Sequence, residues 1–180
     1  MCKTILLLCY NFFRFLWGKL FYGRRYDVHP IQRISPFCAV RLFGRGQLHI
    51  GRNTELAHGC DIEVHGTGKL YIGEGTYMNR YCMVSAHEDV HIGHHCMFGP
   101  GVRVFDNDHC FDGDKGVKSE LKTAPIYIGD RCWIASNVVI LRGTNIGNNC
   151  IIGAGCVVKG DIPDGTLVKC IQNKEIQKIG

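Results

Sequence analysis

Residues 128–163 read IGDRCWIASNVVILRGTNIGNNCIIGAGCVVKGDIP, and a large apolar side chain returns at every sixth position: Ile128, Ile134, Ile140, Ile146, Ile152 and Val158. A period of six matches neither the 3.6 residues of a helical turn nor the simple alternation of one long strand. It is the pattern of a β-solenoid, in which short strands stack coil upon coil.

The same register reaches back along the chain through Ile50, Leu56 and Ile62, then Ile72 and Met78, then Ile92 and Phe98. Four residues after each large position comes a smaller one: Thr54, Cys60, Gly66, Thr76, Cys82, Cys96, Val102, Cys132, Val138, Thr144, Cys150 and Cys156, with Ile162 as a bulky exception. An even spacing puts both slots on the inner face. The cysteines among them are expected to be small core residues. Three residues after each large position the chain should turn with positive φ. That slot holds Asn53, Gly59, His65, Gly75, Tyr81, His95, Gly101, Arg131, Asn137, Gly143, Asn149, Gly155 and Asp161. Most are Gly, Asn, Asp or His, which tolerate that conformation; Tyr81 and Arg131 are not. Two extra residues enter between Val84 and Ile92, and residues 106–125 break the pattern and should loop outward.

Around this core the chain is 180 residues with 46% hydrophobic and 21% charged residues, which suits one packed domain with a terminal element. The formal charge is 21 − 16 = +5, scattered and too weak to imply nucleic acid. Eleven cysteines, an odd number, argue against a disulfide framework and for a reducing, cytoplasmic setting. Three units are expected: residues 1–25 as an amphipathic helix, 26–168 as the β-solenoid, and 169–180 as a tail.

Residues 5–22 read ILLLCYNFFRFLWGKLFY. At helical spacing Thr4, Asn11, Arg14, Gly18 and Lys19 form one narrow polar stripe. Arg14 and Lys19 disfavour a transmembrane span, and no small-residue cleavage site follows for a signal peptide. Two readings stand: a helix lying in a membrane interface, with Arg24 and Arg25 as its basic flank, or a helix packed on the rest of the protein.

Hexads of the form Ile-Gly-x-x-Cys/Val, one protruding loop and the 128–163 string together resemble the hexapeptide-repeat acyltransferases. The likeness is greatest to sugar O-acetyltransferases of the maltose and galactoside type and their relatives in polysaccharide biosynthesis, and it runs in register from about Gly73 to Pro163. The resemblance implies an all-β, left-handed parallel β-helix, a homotrimer with active sites between subunits, acetyl-CoA as donor and a sugar or glycan acceptor. It also implies a catalytic histidine after a Gly-Pro-x-Val hexad. Here the stretch is FGPGVRVFDNDHCFD, and the residue is His109. Imidazole titrates near working pH and suits removal of a hydroxyl proton. Asp106 or Asp108 could orient the ring. The family's Tyr-x-Asn segment is YMNRY here, giving Asn79 as a partner for the acceptor or the developing oxyanion. Trp133, Ser136 and Ala154 match the family's coenzyme contacts. Lys159 is displaced by one residue from the family's lysine, and the family's adenine-end motif is absent.

Three other readings compete. One is transfer to an amine, on an amino-sugar nucleotide or an antibiotic. Another is a zinc site of the γ-carbonic-anhydrase type, for which His87, His91 and His109 would have to converge. The last is a non-catalytic trimeric glycan-binding scaffold. The favoured reading needs no metal.

Overall fold

The fold is that of a computed structural model describing residues 2–171. Helix Cys2–Tyr22 and one 3₁₀ turn, Gly23–Arg25, precede a parallel β-solenoid of roughly six coils. Each coil contributes one strand to each of three sheets. The first sheet stacks Tyr26–Val28, Gln47–Ile50, Lys69–Ile72, Asp89–Ile92, Ile126–Ile128, Asn145–Ile146 and Asp161–Ile162. The second runs from Arg33–Ile34 to Leu167–Val168, and the third from Ala39–Leu42 to Val157–Val158. Every pairing within these sheets is parallel and joins a strand to its counterpart in the next coil. The expected left-handed parallel β-helix class is borne out. The expected tail lies, from residue 172 onward, outside the described residues.

The hexad explains this geometry. The large slot fills the interior, with Ile50, Ile62, Ile128 and Ile140 among the fully buried side chains. The small slot does more than save space. Cys60, Cys96, Cys132 and Cys150 each donate a thiol hydrogen to a carbonyl of the following coil, at 3.1 Å to Asn79, 3.1 Å to Gly129, 3.0 Å to Gly147 and 3.1 Å to Pro163. Thr76 does the same to Gly93 at 2.9 Å. Small donors therefore satisfy corner carbonyls that the sheet ladders leave over.

Two slot assignments change. Ile162 pairs with Ile146 in the first sheet, so it occupies a large slot, reached by a shortened final spacing. Positive φ falls on Gly66 and Gly160 in place of His65 and Asp161, because glycine next door takes the conformation without a Cβ penalty. Tyr81 and Arg131 do adopt it, at φ 61° and 54°, as their register demands. Tyr81 is helped by Gly59, where a Cβ would lie 2.5 Å from the tyrosine ring.

The helix lies against the first coil, which has no coil before it to pair with. The middle of its polar stripe, Asn11, Arg14 and Gly18, faces inward, while Thr4 and Lys19 at the stripe's ends stay exposed. Asn11, with no exposed surface, donates to the carbonyls of Ile34 (2.9 Å) and Gln32 (3.3 Å). Arg14 donates to those of Cys38 (2.6 Å) and Ser35 (3.5 Å). Phe15 joins the solenoid core, and Gly18 lets the Tyr26 ring approach. A solenoid end needs such a cap, since its last strands and core are otherwise open.

Candidate active site

The break at 106–125 is an antiparallel hairpin, Asn107–Asp112 paired with Gly116–Thr123, thrown out where the third sheet turns toward the first. Its root is fixed from two sides. Asp106 is fully buried, and its carboxylate accepts the backbone N–H of His87 (2.8 and 3.0 Å) and of Glu88 (2.7 Å). This holds the two-residue insertion seen in the sequence. Asp108 accepts from Arg142 Nε, one coil further on, at 2.6 Å. Both carboxylates expected to orient His109 are thus engaged elsewhere, and Asp106 acts on the backbone of the preceding coil.

His109 stands opposite Leu121 on the hairpin, exposed, with no side-chain hydrogen-bond partner among the described residues. A second imidazole, His87, which the sequence suggested only as a zinc ligand, lies on the same edge. His87 stacks on His65 (4.4 Å), which stacks on Phe43 (4.8 Å). His65 contacts Glu63 at 3.2 Å, and Glu63 pairs with Arg41 at 2.6 Å. Burial holds the His87 pKa below its ordinary value; the charges of His65 and His109 add to the effect, against Asp106 and Glu63. The signal available in the sequence was the inserted residue pair itself, at the same corner as the hairpin.

Asn79 sits at a different edge, between the second and third sheets. Its side-chain oxygen accepts the N–H of Arg80 at 2.8 Å. Ser136 and Ala154 occupy this edge too, in one column where Gly155 N–H meets Ser136 O at 2.9 Å. Trp133, 52% exposed, lies on the adjoining outer face of the second sheet between Met97 and Ile151. Lys159 departs from this group. It follows Val157–Val158 at the turn from the third sheet to the first, on the edge of Arg142 and the hairpin. Within one chain, then, His87, His109, Arg142 and Lys159 line one edge, Asn79, Ser136 and Ala154 another, and the whole third sheet separates them.

His91 is stacked between Tyr71 and Tyr127 on the first sheet, at 4.5 and 4.8 Å, so it does not converge with His87 and His109. Among the described residues no group of three or more His, Cys, Asp or Glu could hold a metal ion.

A three-sheeted hexapeptide solenoid with a hairpin thrown out between two of its coils is the class these features define. Residues 125–160 match the family model described as bacterial transferase hexapeptide (six repeats). The chain is 35% identical over 79 residues to a galactoside O-acetyltransferase of Lactococcus lactis, covering 44% of this chain and 38% of that protein. It is similar to the crystal structure of a maltose O-acetyltransferase from Clostridium difficile, with a TM-score of 0.53 and 29% identity over 66% of this chain and 62% of that one. A hexapeptide-repeat acetyltransferase from Vibrio cholerae, solved with acetyl-CoA, gives a TM-score of 0.52 and 25% identity, over 69% and 63% of the two chains. The resemblance read from the hexads is borne out. The chain spans about half the length, or less, of the curated relatives it matches.

Proposed function

We propose that this chain is an acetyl-CoA-dependent O-acetyltransferase acting on a sugar or glycan hydroxyl, in a homotrimer whose clefts lie between subunits in the cytoplasm. The observation that carries this reading is the division of the candidate residues between two edges of one prism. A threefold arrangement of parallel solenoids apposes unlike edges of neighbouring copies. The His109 edge of one chain can then face the Asn79 and Trp133 side of the next.

His109 takes the proton of the acceptor hydroxyl as its oxygen attacks the thioester carbon. The amide of Asn79 donates to the oxyanion of the tetrahedral intermediate. The C–O bond forms first, giving this intermediate; its collapse then breaks the C–S bond, and the imidazolium returns the proton to the departing CoA sulfur. The Trp133 face, with Ser136 and Ala154 beside it, offers the donor a flat apolar surface and close backbone approach. The sequence relatives named as O-acetyltransferases favour a hydroxyl over an amine acceptor.

Free-thiol release from acetyl-CoA, with galactosides, maltosides and cell-envelope oligosaccharides offered as acceptors, tests the reading. Sugar-dependent release that is lost in His109→Ala supports it. Release with amine acceptors alone, or unchanged in the variant, overturns it.

A further inference from the structure

The outward face of the N-terminal helix carries a surface that acyl transfer does not use. Because Asn11 and Arg14 are turned onto the first coil, the apolar side of the helix is left facing out. Leu6, Phe13, Leu16, Trp17, Leu20 and Phe21 are each more than half exposed. Beside them an apolar cleft of about 450 Å³ opens between Leu8, Cys9, Phe12, Phe13, Pro30 and Ile31. Isolated exposed apolar residues are ordinary on a protein surface, whereas a contiguous face of this size marks a docking site.

We propose that this face seats the protein on a bilayer surface containing anionic lipid, with the helix lying in the interface. Residues 1–25 contain no Asp or Glu, while Lys19 in the last turn of the helix and Arg24 in the 3₁₀ turn after it are exposed. That charge is complementary to an anionic headgroup layer. A second copy docked on this face would instead offer no acid from its own helix to pair with these cations. Tyr10 and Trp17 add amphipathic rings of the kind that settle at the headgroup level. The helix does not span the membrane in this fold. Crossing would strip Asn11 and Arg14 from the carbonyls they cap and leave both polar groups in hydrocarbon. The helix covers the end of the solenoid, so a trimer of parallel solenoids would present three such faces on one side, a flat multivalent contact. The lipid contact of one chain does not depend on the acyltransferase reading.

The test uses the full chain with sedimented vesicles of phosphatidylcholine, with and without phosphatidylglycerol. The wild type is expected in the pellet with the anionic vesicles, and less so with the neutral ones. In Phe13→Ser/Trp17→Ser/Leu20→Ser the bound fraction should fall at least about tenfold. In a Trp133→Phe background, Trp17 emission should shift to the blue on adding anionic vesicles, which reads the contact even if the triple variant folds poorly. Wild type remaining in the supernatant, equal binding by the triple variant, or an unshifted Trp17 emission overturns the proposal. So does lipid-independent pairing of copies that the same three substitutions abolish.

Discussion

Asp106, buried without exposed surface, receives the N–H groups of His87 and Glu88 from the coil before its own. One carboxylate therefore secures the insertion that carries His87 and, one residue before the hairpin starts, the base that carries His109. Asp106→Asn presents an NH₂ to donors that need an acceptor. It should cost about 2 kcal/mol, measured as a shift in the urea midpoint at unchanged slope.

The Arg142–Asp108 pair, by contrast, is partly solvated and adds little stability. Arg142→Gln is expected to leave the melting temperature nearly unchanged. It should lower kcat with the acceptor severalfold, because the hairpin root loses its tether; steady-state kinetics beside a thermal melt separates the two effects.

How far all this could be read from residue order differs by feature. The coils were legible because three slots repeat independently: even Tyr81 and Arg131, poor choices for positive φ, obey the register. The helix was legible as amphipathic, but its orientation was not. A polar stripe faces water on an isolated helix, and here its central residues Asn11 and Arg14 face open carbonyls that exist only once the first coil is formed. His109 and Asn79 came from resemblance. The occupation of Asp106 and Asp108 was hidden, since their partners lie 18 to 34 residues away in neighbouring coils. Lys159 stands in sequence beside the Ala154 turn, yet one further strand carries it to another edge.

Two imidazoles make stability depend on pH. His87 and His91 both have pKa values lowered mainly by burial. The unfolded chain then binds more protons than the native one below the ordinary imidazole value of about 6.5. Their contribution is complete above that pH and is lost as pH falls through the depressed native values. The melting temperature should drop between pH 7 and 5.5. His91→Phe, which keeps the stack between Tyr71 and Tyr127 but cannot be protonated, should make that drop shallower.

Cys132 packs in the small slot and donates to Gly147. Cys132→Ala leaves both a void and an unpaired carbonyl, and should cost about 1–2 kcal/mol in denaturant unfolding. Cys9→Ala, on the exposed side of the helix, should cost nothing measurable.

Mixing two inactive variants tests the central claim most directly. His109→Ala and Asn79→Ala each remove one edge of the proposed intersubunit cleft. Refolded together in equal amounts, random trimers should contain intact clefts at about one position in four, and turnover should recover to about a quarter of the wild-type rate. Activity no higher than the average of the two separate variants would contradict a site shared between His109 of one chain and Asn79 of the next.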